Sequence, residues 1–193
     1  GLITAYCDHR ALPLLEGLYQ SDINLSFDRL QHDTLDIATP VAILHRSRDG
    51  QWLYAVSPLT RGWLKAACVA LCTQDILRSY LWAEKIVVIT AAKADLYADE
   101  GLRVYLGRLR MGSRLPLEDH GGTGRYRVRV PLRKPDGGCA MAYAYVQERD
   151  AHPGYLPYTP RAVIDQAFKL LHAPYGWGGQ FGEQDCSRYL QQV

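Results

Sequence analysis

The most regular pattern along the chain is Arg125-Tyr126-Arg127-Val128-Arg129-Val130. Arginines fall on one face and Tyr/Val on the other, the period-2 alternation of a strand buried on one side. Asp136-Gly137-Gly138 then marks a turn, and residues 140–146, with Tyr143 and Tyr145, predict the return strand. Upstream, the β-branched run Ile86-Val87-Val88-Ile89 reads as a strand, and residues 95–97, 104–106 and 112–117 read as further short strands, with a loose loop over 120–124. Nearer the start, Val41-Ala42-Ile43-Leu44 and Trp52-Leu53-Tyr54-Ala55-Val56 flank an Asp49-Gly50 turn, and Gly62-Trp63-Leu64 begins a third strand. Strands this short, with turns this close, predict two small barrels, over 36–84 and 85–150. Residues 1–35 show no sustained period and read as an extended clip packed on the strands after it.

The pattern changes after residue 150. Residues 151–158 alternate Pro and Gly with aromatics, as a linker does. Thr159-Pro160 supplies an N-cap and a proline at the first helical position. Ile164, Ala167, Phe168 and Leu171 then recur at helical spacing, and their apolar face needs a sheet to pack on.

Composition narrows the classes. Of 193 residues 48% are hydrophobic, which is the share of a folded domain and not of a disordered chain. The formal charge of +2 provides no strong pull toward nucleic acid, so the arginine row reads as a solvated strand face. No apolar run reaches the ~18–20 residues of a membrane span. The five cysteines are Cys7, Cys68, Cys72, Cys139 and Cys186; four could pair and leave Cys186 free, a pattern that spacing does not establish. Cys68 and Cys72 sit in an Ala/Val/Leu stretch without nearby His or acidic ligands, which favours core filling over zinc.

The stretch that reads as chemistry is the last twenty residues. Pro174 stops the preceding helix, and Gly176, Gly178 and Gly179 surround Trp177 in a loop that lets backbone approach another group closely. Asp185 is an N-cap residue before a run free of Gly and Pro, so Cys186 falls in the first turn of a helix. Orphan N–H groups there favour an anion, and the thiolate is the nucleophile.

Pro174-Tyr175-x-Trp177-Gly178-Gly179 followed by Asp185-Cys186-Ser187 resembles the signature of the NlpC-type cell-wall peptidases, papain-like cysteine peptidases that cut peptidoglycan stem peptides. The resemblance covers only the segment from about residue 158 onward. It implies that Cys186 is the nucleophile and that Tyr175 helps the Cys186 N–H hold the oxyanion. It implies that Asp185 and Ser187 receive the free amine of the substrate's N-terminal L-Ala, with Trp177 beside them. The family usually carries Gly where this chain has Arg188. In that family the catalytic histidine and the group that orients it lie downstream, so the six histidines here read as surface or packing residues, and residues 159–193 as the start of a truncated peptidase domain. The strand order before it, with its Asp-Gly turn and two tryptophan strands, resembles bacterial SH3-like domains found beside cell-wall hydrolases; the arginine row could then meet anionic cell-wall polymer.

The combined expectation is a mostly β chain: two small SH3-like β-barrels, then the N-terminal part of a papain-like α+β cysteine peptidase domain. The implied activity is that of an exported bacterial peptidoglycan endopeptidase acting in the periplasm or cell envelope. It would cleave the amide between the γ-carboxyl of D-Glu and the diamino acid, with no metal or cofactor. The alternative is a non-catalytic cell-wall binding module.

Overall fold

The computed structural model describes residues 1–119 and 124–193; most of the predicted loop over 120–124 lies outside these. Two antiparallel sheets carry the molecule. The first contains β2 (Cys7–Arg10), β3 (Gln31–Leu35), β4 (Ala42–Arg46), β5 (Trp52–Val56) and β6 (Arg61–Lys65), in the order β3-β2-β6-β5-β4. The short strands β1 (Leu2–Ile3) and β7 (Val69–Ala70) pair beside it. The β4–β5 hairpin turns where the Asp-Gly signal lies. Gly50 takes φ 72°, and its N–H donates to Ser47 O at 2.9 Å.

The clip predicted for 1–35 is not separate from this sheet, because it supplies β2 and β3. Its strand character is hidden because the inward side chains are largely polar: His9, Arg10, Gln31 and Thr34 are all buried. A hydrophobic alternation cannot reveal a strand whose buried face is built from hydrogen-bonding groups.

The second sheet contains β8 (Ile86–Ile89), β9 (Lys93–Tyr97), β10 (Tyr105–Arg110), β11 (Arg114–Asp119), β12 (Arg125–Arg133), β13 (Cys139–Gln147) and β14 (Ala151–Pro153). Their order is β10-β9-β13-β12-β11-β8-β14. The long β12–β13 hairpin runs in unbroken register from Arg125↔Gln147 to Arg133↔Cys139. Val128 and Val130 are fully buried, with Leu96, Leu109, Leu115 and Val146 in the same core. On the opposite face Arg129 pairs with Glu118, Arg127 pairs with Asp119 and lies 4.8 Å over the Tyr143 ring, and Arg125 bonds Glu100 at 3.0 Å. The arginine row is thus a lattice of surface ion pairs.

The mostly β organisation is as expected; among the described residues the hydrogen bonding of the two expected small barrels does not close into a ring, and each sheet packs on its own core. Two further differences concern connections. The pattern assigns no element to 73–81, where helix α1 (Gln74–Leu81) forms; Thr73 caps it, accepting from Ile76 N at 3.3 Å, and Ile76, Leu77, Tyr80 and Leu81 join the second core. The linker over 151–158 contributes β14, which pairs with β8 through Ala151↔Ile89 and Pro153↔Val87.

Helix α2 (Pro160–Phe168) starts at the predicted cap, with Thr159 Oγ1 accepting from Ala162 N at 3.1 Å. Its apolar residues Ile164 and Phe168, and Leu171 beyond it, are exposed. Helix α3 (Cys186–Gln192) comes after the glycine loop.

Candidate active site

The glycine loop is pinned to the first sheet from both sides. Gly178 and Gly179 take φ of 52° and 76°. A Cβ on Gly179 would lie 2.0 Å from Thr34 Oγ1, and one on Gly178 would lie 2.8 Å from Gln31 Cγ. Only glycine permits both the left-handed backbone and this approach. The loop carbonyls are the acceptors that the polar strand β3 serves: Gln31 Nε2 donates to Gly178 O at 3.2 Å, and Thr34 Oγ1 to Gly179 O at 3.2 Å. The Tyr6 hydroxyl also donates to Gly179 O and accepts from Gly182 N at 3.1 Å. Trp177 seats the loop too, with its Nε1 donating to Asp28 O at 2.8 Å and its ring edge-on to Phe27 at 5.3 Å.

Beyond the loop, Asp185 caps α3 as its sequence predicts. Its Oδ1 accepts from Arg188 N at 2.8 Å and from Ser187 Oγ at 2.9 Å. Cys186 is exposed at the first position of this helix. Tyr175 is carried beside it by the Tyr175↔Gln184 bridge, with Gly176 N donating to Gln184 O at 3.0 Å. Tyr175 and Cys186 face the same cavity, with the thiol near enough to influence the ionisation of the phenol. Partial desolvation, followed by the negative character of Cys186 and Asp185, pushes the phenol above its ordinary value.

These groups open on a cavity of about 210 Å³ lined by Tyr175, Asp185, Cys186 and Tyr189 from the terminal segment, together with Leu170 and Lys93. Lys93 comes from β9 of the second sheet and is ion-paired with Glu183. The structure thus brings four of the five sequence-derived site residues together: Tyr175, Asp185, Cys186 and Ser187. Trp177 is turned away, toward Asp28 and Phe27, and does not line the cavity. No histidine lines it among the described residues.

What sequence reasoning missed is the support under α3. Arg188 is 8% exposed. Its Nη1 donates to Asp33 Oδ2 at 3.2 Å and its Nη2 to Asp36 Oδ2 at 2.8 Å. From the second sheet, Arg110 Nε bonds Asp36 Oδ1 at 2.9 Å, while its Nη2 reaches Thr34 O at 2.8 Å and its Nη1 Glu183 O at 3.2 Å. Two buried guanidiniums therefore clamp two buried carboxylates where both sheets and α3 meet. Burial raises Asp33 above the ordinary carboxylate value, against the opposing pull of Arg188. Burial alone would lower Arg110, and Asp36 outweighs it, so Arg110 is held above its usual range. The only signal in the sequence is Arg188 itself, at a position where the resembled motif has glycine.

Comparison with known proteins places this architecture. Residues 13–65 match the model of an SH3 domain (SH3b1 type), a span that includes β3 from the supposed clip. No characterised protein sequence matches the chain. Among solved structures, an NlpC/P60 endopeptidase from Photobacterium damselae subsp. piscicida superposes with a TM-score of 0.80 at 24% identity, over 99% of this chain and 41% of its own. An NlpC/P60 family protein from Bacillus cereus gives 0.71 at 19% identity, over 97% of this chain and 69% of its own. The chain therefore spans well under half the length of the first. Residues 13–65 are thus similar to an SH3 domain of the SH3b1 type, set in a chain that shares the fold of NlpC/P60 structures over nearly its whole length.

Proposed function

We propose that this chain belongs to a peptidoglycan endopeptidase in which Cys186 is the nucleophile, acting outside the cytoplasm at the cell envelope. The observation that carries the reading is an exposed cysteine at the first position of the Asp185-capped helix, with Tyr175 beside it on the same cavity. The Cys186 sulfur attacks the amide carbonyl joining the γ-carboxyl of D-Glu to the diamino acid. The carbonyl oxygen is held by the Cys186 N–H and the Tyr175 phenol. Collapse releases the diamino acid amine and leaves a thioester, which water then hydrolyses. Asp185 and Ser187, already bonded to each other, offer acceptors for an N-terminal ammonium. The imidazole that would take and return the protons is assigned to residues other than those lining this cavity.

The overall likeness to NlpC/P60 structures and the SH3b1-type match support a role on peptidoglycan; the bond cleaved and the cysteine mechanism are our own reading. Cys186→Ala in the complete protein should abolish cleavage of muropeptides, with binding to cell-wall sacculi retained. Undiminished cleavage would place the nucleophile elsewhere. The SH3 match also favours a second reading, a cell-wall binding module without catalysis. Thiol alkylation of the folded complete protein at mildly acidic pH separates the two: selective labelling of Cys186 supports the peptidase, and indifference supports the binder.

A further inference from the structure

Four cysteines outside the candidate site lie in pairs. Cys7, on β2, is buried among Ile3, Leu35, Leu64 and Val69, and Cys68 packs against the same cluster. Cys68 ends the short turn Ala66–Cys68 between β6 and β7. Its carbonyl accepts from Thr4 N at 2.8 Å, which sets it beside the chain entering β2. Cys7 and Cys68 thus share one apolar cluster, close enough for each thiol to shift the other's ionisation. The second pair belongs to the other core. Leu71 and Gly138 form a parallel bridge, with Leu71 N donating to Gly137 O at 2.9 Å and Cys139 N to Leu71 O at 2.9 Å. The next residues along each chain segment, Cys72 and Cys139, therefore sit side by side, at the roughly 5 Å backbone spacing of neighbouring strands, which a disulfide spans without distortion. Cys139 is buried in the second core and Cys72 packs against that core.

We propose that Cys7 with Cys68, and Cys72 with Cys139, are two disulfide-forming sites, one in each core, which leave Cys186 as the single unpaired thiol. A shared metal does not account for the arrangement: among the described residues no group of three or more His, Cys, Asp or Glu side chains could hold one. Contact with Cys7 draws the half-buried Cys68 toward its thiolate, while the same contact and burial hold Cys7 protonated. Burial and the Cys72 contact push the Cys139 thiol up to about 12. In each pair the more accessible sulfur, Cys68 or Cys72, attacks one sulfur of a small-molecule or protein disulfide and displaces one thiolate. The buried partner gives up its proton, attacks the protein sulfur of that mixed disulfide and displaces the second thiolate. The two protein thiols lose two electrons and two protons, and the oxidant disulfide takes them up as two thiols.

The inference uses nothing from the proposed peptidase chemistry, so either can fail alone. Its test equilibrates the folded wild-type chain with glutathione disulfide and glutathione, quenches in acid, alkylates in denaturant and maps peptides without reduction. The expected result is a mass lower by four hydrogens, alkylation confined to Cys186, and linked peptides joining Cys7 to Cys68 and Cys72 to Cys139. The pairs should close at a glutathione disulfide share on the order of tenfold lower than in the unfolded chain. Five alkylated cysteines at every ratio, a Cys68–Cys72 link or any link to Cys186 would overturn the assignment. Closure of one pair alone would overturn it for the other.

Discussion

Replacing Arg188 by alanine tests whether α3 is held by the buried charge cluster beneath it. The guanidinium bonds Asp33 at 3.2 Å and Asp36 at 2.8 Å and is almost wholly buried. Removing one partner of a buried ion pair costs roughly 3–5 kcal/mol, because the charge left behind is desolvated and uncompensated. Here the loss falls unequally. Asp36 keeps Arg110, bonded to both of its oxygens. Asp33 keeps the Thr34 N–H, at 2.7 Å, and the more distant charge of Arg110. We therefore expect a loss near the lower end, about 3 kcal/mol, equivalent to a fall in Tm of roughly 6–12 °C for a chain of this size. The cost should also depend on pH. Burial already raises Asp33, and Arg188 is what restrains it; without the guanidinium it rises further, so the folded variant binds a proton that the unfolded chain releases above its ordinary value near 3.8. Where the folded state binds more protons, stability falls as pH rises. The deficit should thus be largest near neutrality and shrink toward acid. Denaturant unfolding of wild type, Arg188→Ala, Asp33→Asn and the double variant at neutral and acidic pH measures it, with the double variant recovering part of the loss. A single variant within about 1 kcal/mol of wild type at both pH values, with no coupling to Asp33, would refute the argument.

Other expectations rest on single contacts. Gly179→Ala forces a side chain at φ 76° against Thr34, and should cost about 3 kcal/mol in denaturant unfolding, more than an alanine at exposed Gly124, where no described residue lies within 4 Å. His9 is fully buried, with Nε2 against Ala55 O at 3.2 Å. Burial lowers its ionisation below the ordinary 6.5, with His32 opposing its charge as well. The unfolded chain therefore takes up the proton first, and stability should fall as pH drops below about 6.5, by at most about 1.4 kcal/mol per pH unit, with a shallower slope in His9→Gln. Tyr175→Phe in the complete protein should lower kcat for muropeptide cleavage by about 10²–10³ with little change in KM, the cost of one oxyanion donor; since Tyr175 is 55% exposed, its unfolding midpoint should not move.

The features legible in the sequence were those with a local cause. The Asp49-Gly50 turn, the alternation through β12, the Thr159-Pro160 start of α2 and the Asp185 cap each depend on a few neighbouring residues, and each appears where its residues stand. The features not legible depend on partners far away in the chain. Strand β3 buries Gln31 and Thr34 because the loop carbonyls of Gly178 and Gly179, nearly 150 positions later, need donors. Trp177 reads as a neighbour of the substrate-binding residues, and its indole N–H goes instead to the distant Asp28 O. Arg188 reads as a mismatch to the motif until Asp33 and Asp36 are placed under it.

That clamp bears on how such chains can be rearranged. The thiol-bearing helix obtains its footing from an aspartate pair in and just after β3 of one sheet and an arginine in the other, so it is not a cassette that travels alone. Grafted onto a different SH3 scaffold, it would arrive with a buried cation and nothing to neutralise it. Exchange of modules between such proteins should therefore succeed only at boundaries that carry Asp33, Asp36, Arg110 and Arg188 together.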